Sequence, residues 1–308
     1  MKRIISLIIC LSICFAMTVP AWAETNENDD DFSNKGYEAG IIGEQSSEDK
    51  EFSDAKRCAV QEIYGLVQMA TENGGELSSL EIDRLEALLA CYYPDAKVED
   101  YLALSHFDGS RSTNPGDHIT MSLNLPGQVQ QNNYYCGPAS GCAVLRGRGI
   151  NVTQSQVASQ MGTTTNGTPL HNVAPGLNHW NGTNGNHFHY ATLVGYKLSG
   201  ENMTAQEWAM LFTNSAITTI LGQYGVIYNV HQVAGSMYYL QGYSNSSGLA
   251  SSSLSHFVAG EGFDSSNPSS RVCYYYDSNN LKTNLGNRHM HVSFQTMAVL
   301  CNDRGLIY

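Results

Sequence analysis

One cysteine near the middle of the sequence lies in a setting that suits nucleophilic chemistry. In the segment QNNYYCGPAS, residues 131–140, Cys136 follows two tyrosines and precedes Gly-Pro. A thiol attacks as the thiolate, so a catalytic cysteine needs a nearby cation or positive dipole. Gly137-Pro138 predicts a helix start, because proline loses no hydrogen bond in the first turn. A helix N-terminus carries positive partial charge, so the pattern favours Cys136 as a nucleophile.

A glutamine upstream of the cysteine could stabilise the charge that such an attack creates. Attack on an amide carbonyl makes an oxyanion, which needs preorganised donors about 3 Å away. The backbone N–H of Cys136 can supply one donor. The side-chain amide of Gln131, five residues earlier, can supply another if the chain between them loops back.

The second reacting group should be a histidine, which acts as general base and as ion-pair partner. Of the ten histidines, His256 opens a strand-like run over 256–263, and a second such run covers 271–277. A simple hairpin centred between Ser266 and Asn267 pairs His256 with Asp277, which puts a carboxylate within reach of the ring. Such a carboxylate orients the imidazole and stabilises the imidazolium.

Other interpretations of these cysteines and histidines remain open at this point. In an exported protein an isolated cysteine is ordinarily part of a disulfide or buried. We interpret Cys142 as a core residue, and Cys273 and Cys301 as either paired or singly buried. Two alternating pairs, His187 with His189 and His289 with His291, resemble metal ligands on a strand. Zinc needs three or four convergent ligands, so we expect no metal and no cofactor.

The elements around these residues predict one α+β domain over residues 121–308. A helix begins at Cys136, and helices at 153–161 and 204–222 follow, separated by a long loop at 162–188. Strand-like alternation then dominates, at 225–231, 256–263, 271–277 and 290–294. Helices that precede a strand-rich half are typical of α+β folds rather than doubly wound sheets.

The first 120 residues divide into four predicted segments. A charged start, an apolar run and Ala-Trp-Ala make residues 1–23 a secretory signal peptide, so we expect a secreted protein. Residues 24–50 are acidic and are predicted to be a disordered linker. Residues 51–94 show two helix patterns joined at Asn-Gly-Gly, a helical hairpin, and residues 95–120 are a connector.

The hairpin raises two further hypotheses. Its two cysteines, Cys58 and Cys91, lie at similar distances from the predicted turn, so we predict a disulfide between them. The hairpin could be a removable inhibitory prosegment or a permanent accessory, and the sequence favours neither.

Charge limits the classes of partner. The chain has a net charge of −12, and loss of Lys2 and Arg3 with the signal peptide brings it near −14. Nucleic acids and anionic membranes reward basic surfaces. We therefore expect neither nucleic acid nor, after signal removal, a membrane as partner. The peptide or protein substrate that we expect instead follows from the cysteine chemistry and the resemblance described next.

Three segments, QNNYYCGPAS, HFVAGEGF and YYYD, resemble papain-like cysteine peptidases. They are most similar to the bacteriocin-processing (double-glycine leader) peptidase-like family of secreted bacterial proteins, over about residues 121–308. The family's aspartate is often followed by proline, whereas Ser278 follows here, so Asn279 or Asn280 are alternatives for the orienting residue. The resemblance implies an oxyanion donor, a nucleophile, a base and an orienting carboxylate at Gln131, Cys136, His256 and Asp277.

Together these features predict a secreted cysteine-type peptidase with a Cys-His-Asp triad. Cleavage of leader peptides belongs to the transporter-fused members and is not carried over to this chain. A cell-wall peptide amidase or transferase with the same nucleophile is one alternative. A non-catalytic binding module that keeps the fold, or a structural protein with Cys136 in a disulfide, are others.

Overall fold

The structure is a computed structural model that describes residues 42–103, 119–267, 270–281 and 287–308. These residues belong to one compact unit. The predicted signal peptide, residues 24–41 of the predicted linker and residues 104–118 of the connector lie outside the described residues.

Helices occupy the first half of the described chain and recur between the strands. Three of them begin with a capping box. In this motif a Ser or Thr and an acid or amide three residues later each accept a hydrogen bond from the other's backbone N–H. The sequence predicts two of these boxes, at Ser78 and at Thr153. The helices are α1 Ser47–Glu72, α2 Ser79–Tyr92, α3 Val98–Leu102, α4 Cys136–Gly147, α5 Gln154–Gln160, α6 Leu170–Asn178, α7 Tyr196–Ser199, α8 Ala205–Leu221 and α9 Phe294–Leu300.

The strands form one sheet in which every described pairing is antiparallel. They are β1 Thr120–Ser122, β2 Thr192–Val194, β3 Val226–Gln232, β4 Leu254–Asp264, β5 Val272–Tyr276, β6 His289–Ser293 and β7 Gly305–Ile307. The order is β2-β7-β3-β4-β5-β6, and β1 pairs with the far end of β4. Helices packed on an antiparallel sheet confirm the predicted α+β class.

Helix α4 packs directly against strand β4, and this contact joins the two main parts of the predicted site. Ser140, on the first turns of α4, is 1% exposed and its hydroxyl donates to the carbonyl oxygen of Phe257 at 3.1 Å. The neighbouring turn is equally close-packed: a Cβ at Gly137 would lie 2.6 Å from Thr168 Oγ1. The N-terminus of α4 therefore has little freedom to move relative to β4.

The helical hairpin is part of the same hydrophobic core as the sheet. Lys56 of α1 is completely buried, and its Nζ donates to the carbonyl oxygens of His189 at 2.8 Å and Tyr308 at 3.0 Å. The same Nζ lies 3.8 Å from the ring centroid of Phe188. From the following α3, Tyr101 donates to the carbonyl oxygen of Thr218 in α8.

Two segments differ from the sequence predictions. Helix α1 begins at Ser47, inside the segment predicted to be disordered, because Ser46 caps it and Glu48 and Asp49 lie in its first turn, where acids are favourable. The loop predicted at 162–188 contains α6, whose Leu170, Val173, Ala174 and Leu177 are buried. Pro175 and Gly176 conceal this helical spacing because both residues ordinarily indicate a break.

The predicted disulfide between Cys58 and Cys91 is not formed. Both cysteines are free and exposed. Burial raises the pKa of Tyr92, and both cysteines raise it further, so both lie near this tyrosine. No helix within the described ranges is long and apolar enough to cross a lipid bilayer.

Candidate active site

Cys136 is the first residue of α4, with Tyr135 at the N-cap position. The cysteine is free and half-buried as a residue, so it is not bridged. Cys142, on the same helix, is buried and free, and its Sγ contacts the carbonyl oxygen of Val152. The two cysteines of α4 therefore differ in burial: Cys136 is half-buried, whereas Cys142 is fully buried.

The surroundings of Cys136 favour its thiolate. Burial alone would raise the pKa of this thiol, but the hydrogen bond and positive charge of His256 lower it, as do the backbone N–H groups of Phe257 and Gly137. The net result is a Cys136 pKa below its ordinary value. For Cys142, by contrast, burial raises the pKa to about 11.

His256 joins the thiol to a buried carboxylate. It lies near the start of β4, and its Nε2 lies 2.9 Å from Oδ1 of Asp277, with both side chains almost completely buried. Since a carboxylate accepts, Nε2 carries the proton of this bond and Nδ1 remains for the thiol. Burial lowers the pKa of His256, but the charge and hydrogen bond of Asp277 and the contact with Cys136 outweigh burial and raise it.

The structure thus brings Cys136, His256 and Asp277 together, although not through the hairpin register used to predict the contact. In the real register Ala259 pairs with Tyr276, and the pairing shifts between Gly260 and Gly262 at a bulge. The predicted pairing of His256 opposite Asp277 is therefore wrong. Asp277 follows the end of β5. From there its side chain reaches back to the histidine.

Both oxygens of the Asp277 carboxylate are held by further donors. Oδ1 also accepts from the backbone N–H of Asn279 at 2.8 Å, and Oδ2 accepts from the hydroxyl of Tyr243 at 2.8 Å. Burial raises the pKa of Asp277, but the His256 charge and these donors lower it overall. Of the alternatives considered for Asp277, Asn279 supports the carboxylate and Asn280 bonds Asn133 instead.

The two adjacent glutamines before the cysteine have different environments. The side chain of Gln131 is exposed, and its backbone N–H donates to Oε1 of Gln154 at 2.9 Å. Gln130 is only 4% exposed: its Oε1 accepts from the hydroxyl of Ser278 and its Nε2 donates to the carbonyl oxygen of Asn132. The buried amide next to Asp277 thus belongs to Gln130. The spacing in the sequence could not distinguish between these two adjacent glutamines, whereas their burial in the structure does.

The histidine pairs considered as metal ligands lie apart from the site. His289 pairs with the buried carboxylate of Glu261 at 2.7 Å, while His187, His189 and His291 are exposed. Within the part of the chain that the structure describes, no group of three or more His, Cys, Asp or Glu residues is arranged to hold a metal ion.

An α+β domain with a cysteine at a helix N-terminus, a histidine on the central antiparallel strand and a carboxylate behind it has the arrangement of papain-like cysteine peptidases. A model of the Peptidase_C39-like family matches residues 122–298, which is more than half of the chain. The chain therefore belongs to this family of cysteine peptidases. No curated protein matches it.

Proposed function

We propose that this protein is a secreted cysteine peptidase in which Cys136 is the nucleophile, His256 the base and Asp277 the orienting carboxylate. The observation that carries the proposal is the free thiol of Cys136 at a helix N-terminus, hydrogen-bonded to a histidine that a buried carboxylate holds. A disulfide at Cys136, as in a purely structural protein, is inconsistent with the free thiol.

The proposed reaction follows from the protonation states of these groups. The Cys136 thiolate attacks the carbonyl carbon of a peptide bond, and the electron pair of the carbonyl moves to its oxygen. When the tetrahedral intermediate collapses, the carbon–nitrogen bond breaks and His256 donates its proton to the leaving amine. Water, deprotonated by His256, then attacks the thioester and releases the acid and the thiol.

For the oxyanion we propose the backbone N–H of Cys136 and the side-chain amide of Gln130, rather than that of Gln131. What supports Gln130 is its burial and its contact with Ser278, the residue that follows Asp277. One N–H of the Gln130 amide is engaged by Asn132, and the second is the donor assigned to the substrate.

The test is mass-mapped alkylation of the native protein by iodoacetamide, wild type against His256→Ala. Cys58 and Cys91 are exposed and serve as internal references in the same digest. We expect Cys136 to react faster than both references below neutral pH in the wild type, and to lose this advantage in His256→Ala. Equal labelling of Cys136 in the two proteins would contradict the proposal.

A peptide-library digest separates the remaining candidate functions. Cleavage of peptide bonds that Cys136→Ala abolishes supports the peptidase. A cell-wall amidase or transferase would instead act on muropeptides with the same dependence on Cys136, and a binding module would show no Cys136-dependent product.

Export is proposed on the signal-like residues 1–23 alone. Intact-mass analysis of protein from the culture medium should give a chain that begins near Glu24. Finding active protein of that mass also excludes removal of the hairpin as an activation step.

A further inference from the structure

Tyr243 lies in the segment between β3 and β4, residues 233–253, which we term the 233–253 loop. Most of this loop is exposed, yet Tyr243 is only 1% exposed. Its backbone is fixed on both sides: its N–H donates to the carbonyl oxygen of Leu240 at 3.0 Å, and its carbonyl oxygen accepts from Ser251 at 2.7 Å. The ring is therefore inserted into the protein from an otherwise superficial segment.

The hydroxyl of Tyr243 ends at the carboxylate behind His256. It donates to Oδ2 of Asp277 at 2.8 Å and accepts from Nδ2 of Asn279 at 3.0 Å. Oδ1 of Asp277 is meanwhile shared by His256 and the backbone N–H of Asn279. With both oxygens engaged, the carboxylate cannot rotate without breaking a buried hydrogen bond.

The rest of the loop is tied to the same region of the sheet. The side chain of Gln232, at the end of β3, accepts from the N–H of Leu240 and donates to the carbonyl oxygen of Ser252. The N–H of Gln241 donates to the hydroxyl of Tyr275. Displacement of the loop would therefore move the Tyr243 hydroxyl relative to Asp277.

We propose that Tyr243 is a positioning residue that fixes the Asp277 carboxylate behind His256 and couples the 233–253 loop to the reacting groups. This inference rests on the proposed function, because it concerns the residue that orients the base. Tyr243 acts in this scheme through Asp277.

The electrostatics agree with a donor role. Burial and the charge of Asp277 both raise the pKa of Tyr243, so its proton stays in place across the working pH range. The hydroxyl in turn helps to keep the Asp277 pKa low. The titratable or charged groups that face Asp277 from the surrounding elements are His256 of β4, Tyr275 and Tyr276 of β5, Tyr243 of the loop and Arg288 before β6, whose guanidinium donates to the Asp277 carbonyl oxygen.

The test compares Tyr243→Phe with Tyr239→Phe in the full-length protein. Tyr243→Phe removes the donor to Asp277, whereas Tyr239→Phe removes a hydroxyl elsewhere in the same loop and leaves the carboxylate contacts in place. We expect Tyr243→Phe to lower kcat roughly tenfold or more with little change in KM, as for loss of a hydrogen bond to a charged group.

The pH profile separates positioning from a general loss of structure. Without the hydroxyl, Asp277 takes up a proton at a higher pH, so the acid limb of kcat/KM and of Cys136 labelling should move to higher pH in Tyr243→Phe and stay unchanged in Tyr239→Phe. Asn279→Ala, which removes the donor that holds the hydroxyl, should shift the same limb in the same direction by less.

The outcomes are distinct. An unchanged acid limb in Tyr243→Phe overturns the inference, and if that variant does not fold, an unchanged limb in Asn279→Ala overturns it instead. Wild-type protein without His256-dependent labelling of Cys136 would contradict the proposed function itself. Normal wild-type labelling with unaltered variants would contradict only the role of Tyr243.

Discussion

At the scale of single residues, the site depends on a charged pair held largely away from solvent. The imidazolium of His256 persists because the Asp277 charge raises its pKa against the effect of burial, and the Cys136 thiolate persists because that imidazolium lowers its pKa. The ion pair therefore exists in a pH window that begins where both the Cys136 thiol and the Asp277 carboxyl group have lost their protons and ends at the raised His256 pKa. The thiolate of Cys136 therefore depends on His256, and the imidazolium of His256 depends on Asp277.

Asp277→Asn tests the contribution of the buried carboxylate. Without the charge, burial dominates at His256 and its pKa falls, so the alkaline limb of kcat/KM should move to lower pH. We expect kcat to fall by about 10²–10⁴, the usual contribution of positioned acid–base catalysis. The measurement is the pH dependence of peptide hydrolysis. Asp264→Asn, at the other end of β4, is the control and should stay near wild type.

Gln130→Ala and Gln131→Ala form a matched pair for the oxyanion donor. Loss of one such donor costs about 10²–10³ in kcat, and we expect this loss for the buried Gln130 and a near-normal rate for the exposed Gln131. Alkylation of Cys136 creates no oxyanion and should be retained in both variants. A large loss of kcat for Gln131→Ala alone would show that Gln131, the glutamine predicted from the sequence, is the oxyanion donor.

At the scale of elements, the start of α5 holds the segment that leads into the nucleophile. Gln154, the first residue of α5, is 1% exposed, and its Nε2 donates to the carbonyl oxygen of Val129 while its Oε1 accepts from the N–H of Gln131. One side-chain amide thus bonds both the carbonyl oxygen of Val129 and the backbone N–H of Gln131, in a segment that lies outside the named strands. The segment places Gln130 beside Ser278.

Gln154→Ala should remove both of these hydrogen bonds and destabilise the protein by about 1–3 kcal/mol. The control is Gln160→Ala, at the exposed last turn of the same helix, which should change stability by less than about 0.5 kcal/mol. Urea unfolding followed by circular dichroism measures both. Equal urea unfolding midpoints for the two variants would show that the Gln154 hydrogen bonds do not contribute to stability.

At the scale of the whole molecule, the helical hairpin and the peptidase fold share one core. The buried Nζ of Lys56 links α1 to the carbonyl oxygens of His189 and Tyr308, which lie far from it along the chain. Removing the hairpin would expose these groups together with the apolar faces of α1 and α2. This arrangement favours a permanent accessory over a removable prosegment.

Lys56→Ala should destabilise the folded state by about 2–5 kcal/mol, because it leaves a cavity and two unpaired carbonyl groups. Lys50→Ala, on the exposed side of the same helix, is the control and should have little effect. The free energy of unfolding, measured in urea, decides between them. A similar small effect for both would mean that α1 is only loosely attached.

Local patterns carried much of this protein's organisation. The helix start at Cys136, the caps at Ser78 and Thr153 and the four main strands depend on residues close together in the chain, and the structure has them where the sequence predicts them. Helix α6 was hidden because Pro175 and Gly176 are tolerated once tertiary packing buries their neighbours. The short strands β1, β2 and β7 had no signal of their own, since their pairing partners lie elsewhere in the chain.

The sequence by itself predicted the α+β class and named the cysteine, the histidine and the aspartate whose side chains the structure brings together. Only the tertiary structure decided how they meet, because a bulge at Glu261 shifts the strand register and the carboxylate reaches the ring from beyond the strand end. It alone distinguished buried Gln130 from exposed Gln131 and brought Tyr243 to Asp277. Burial and long-range hydrogen bonds depend on residues distant in the chain, which local spacing does not encode.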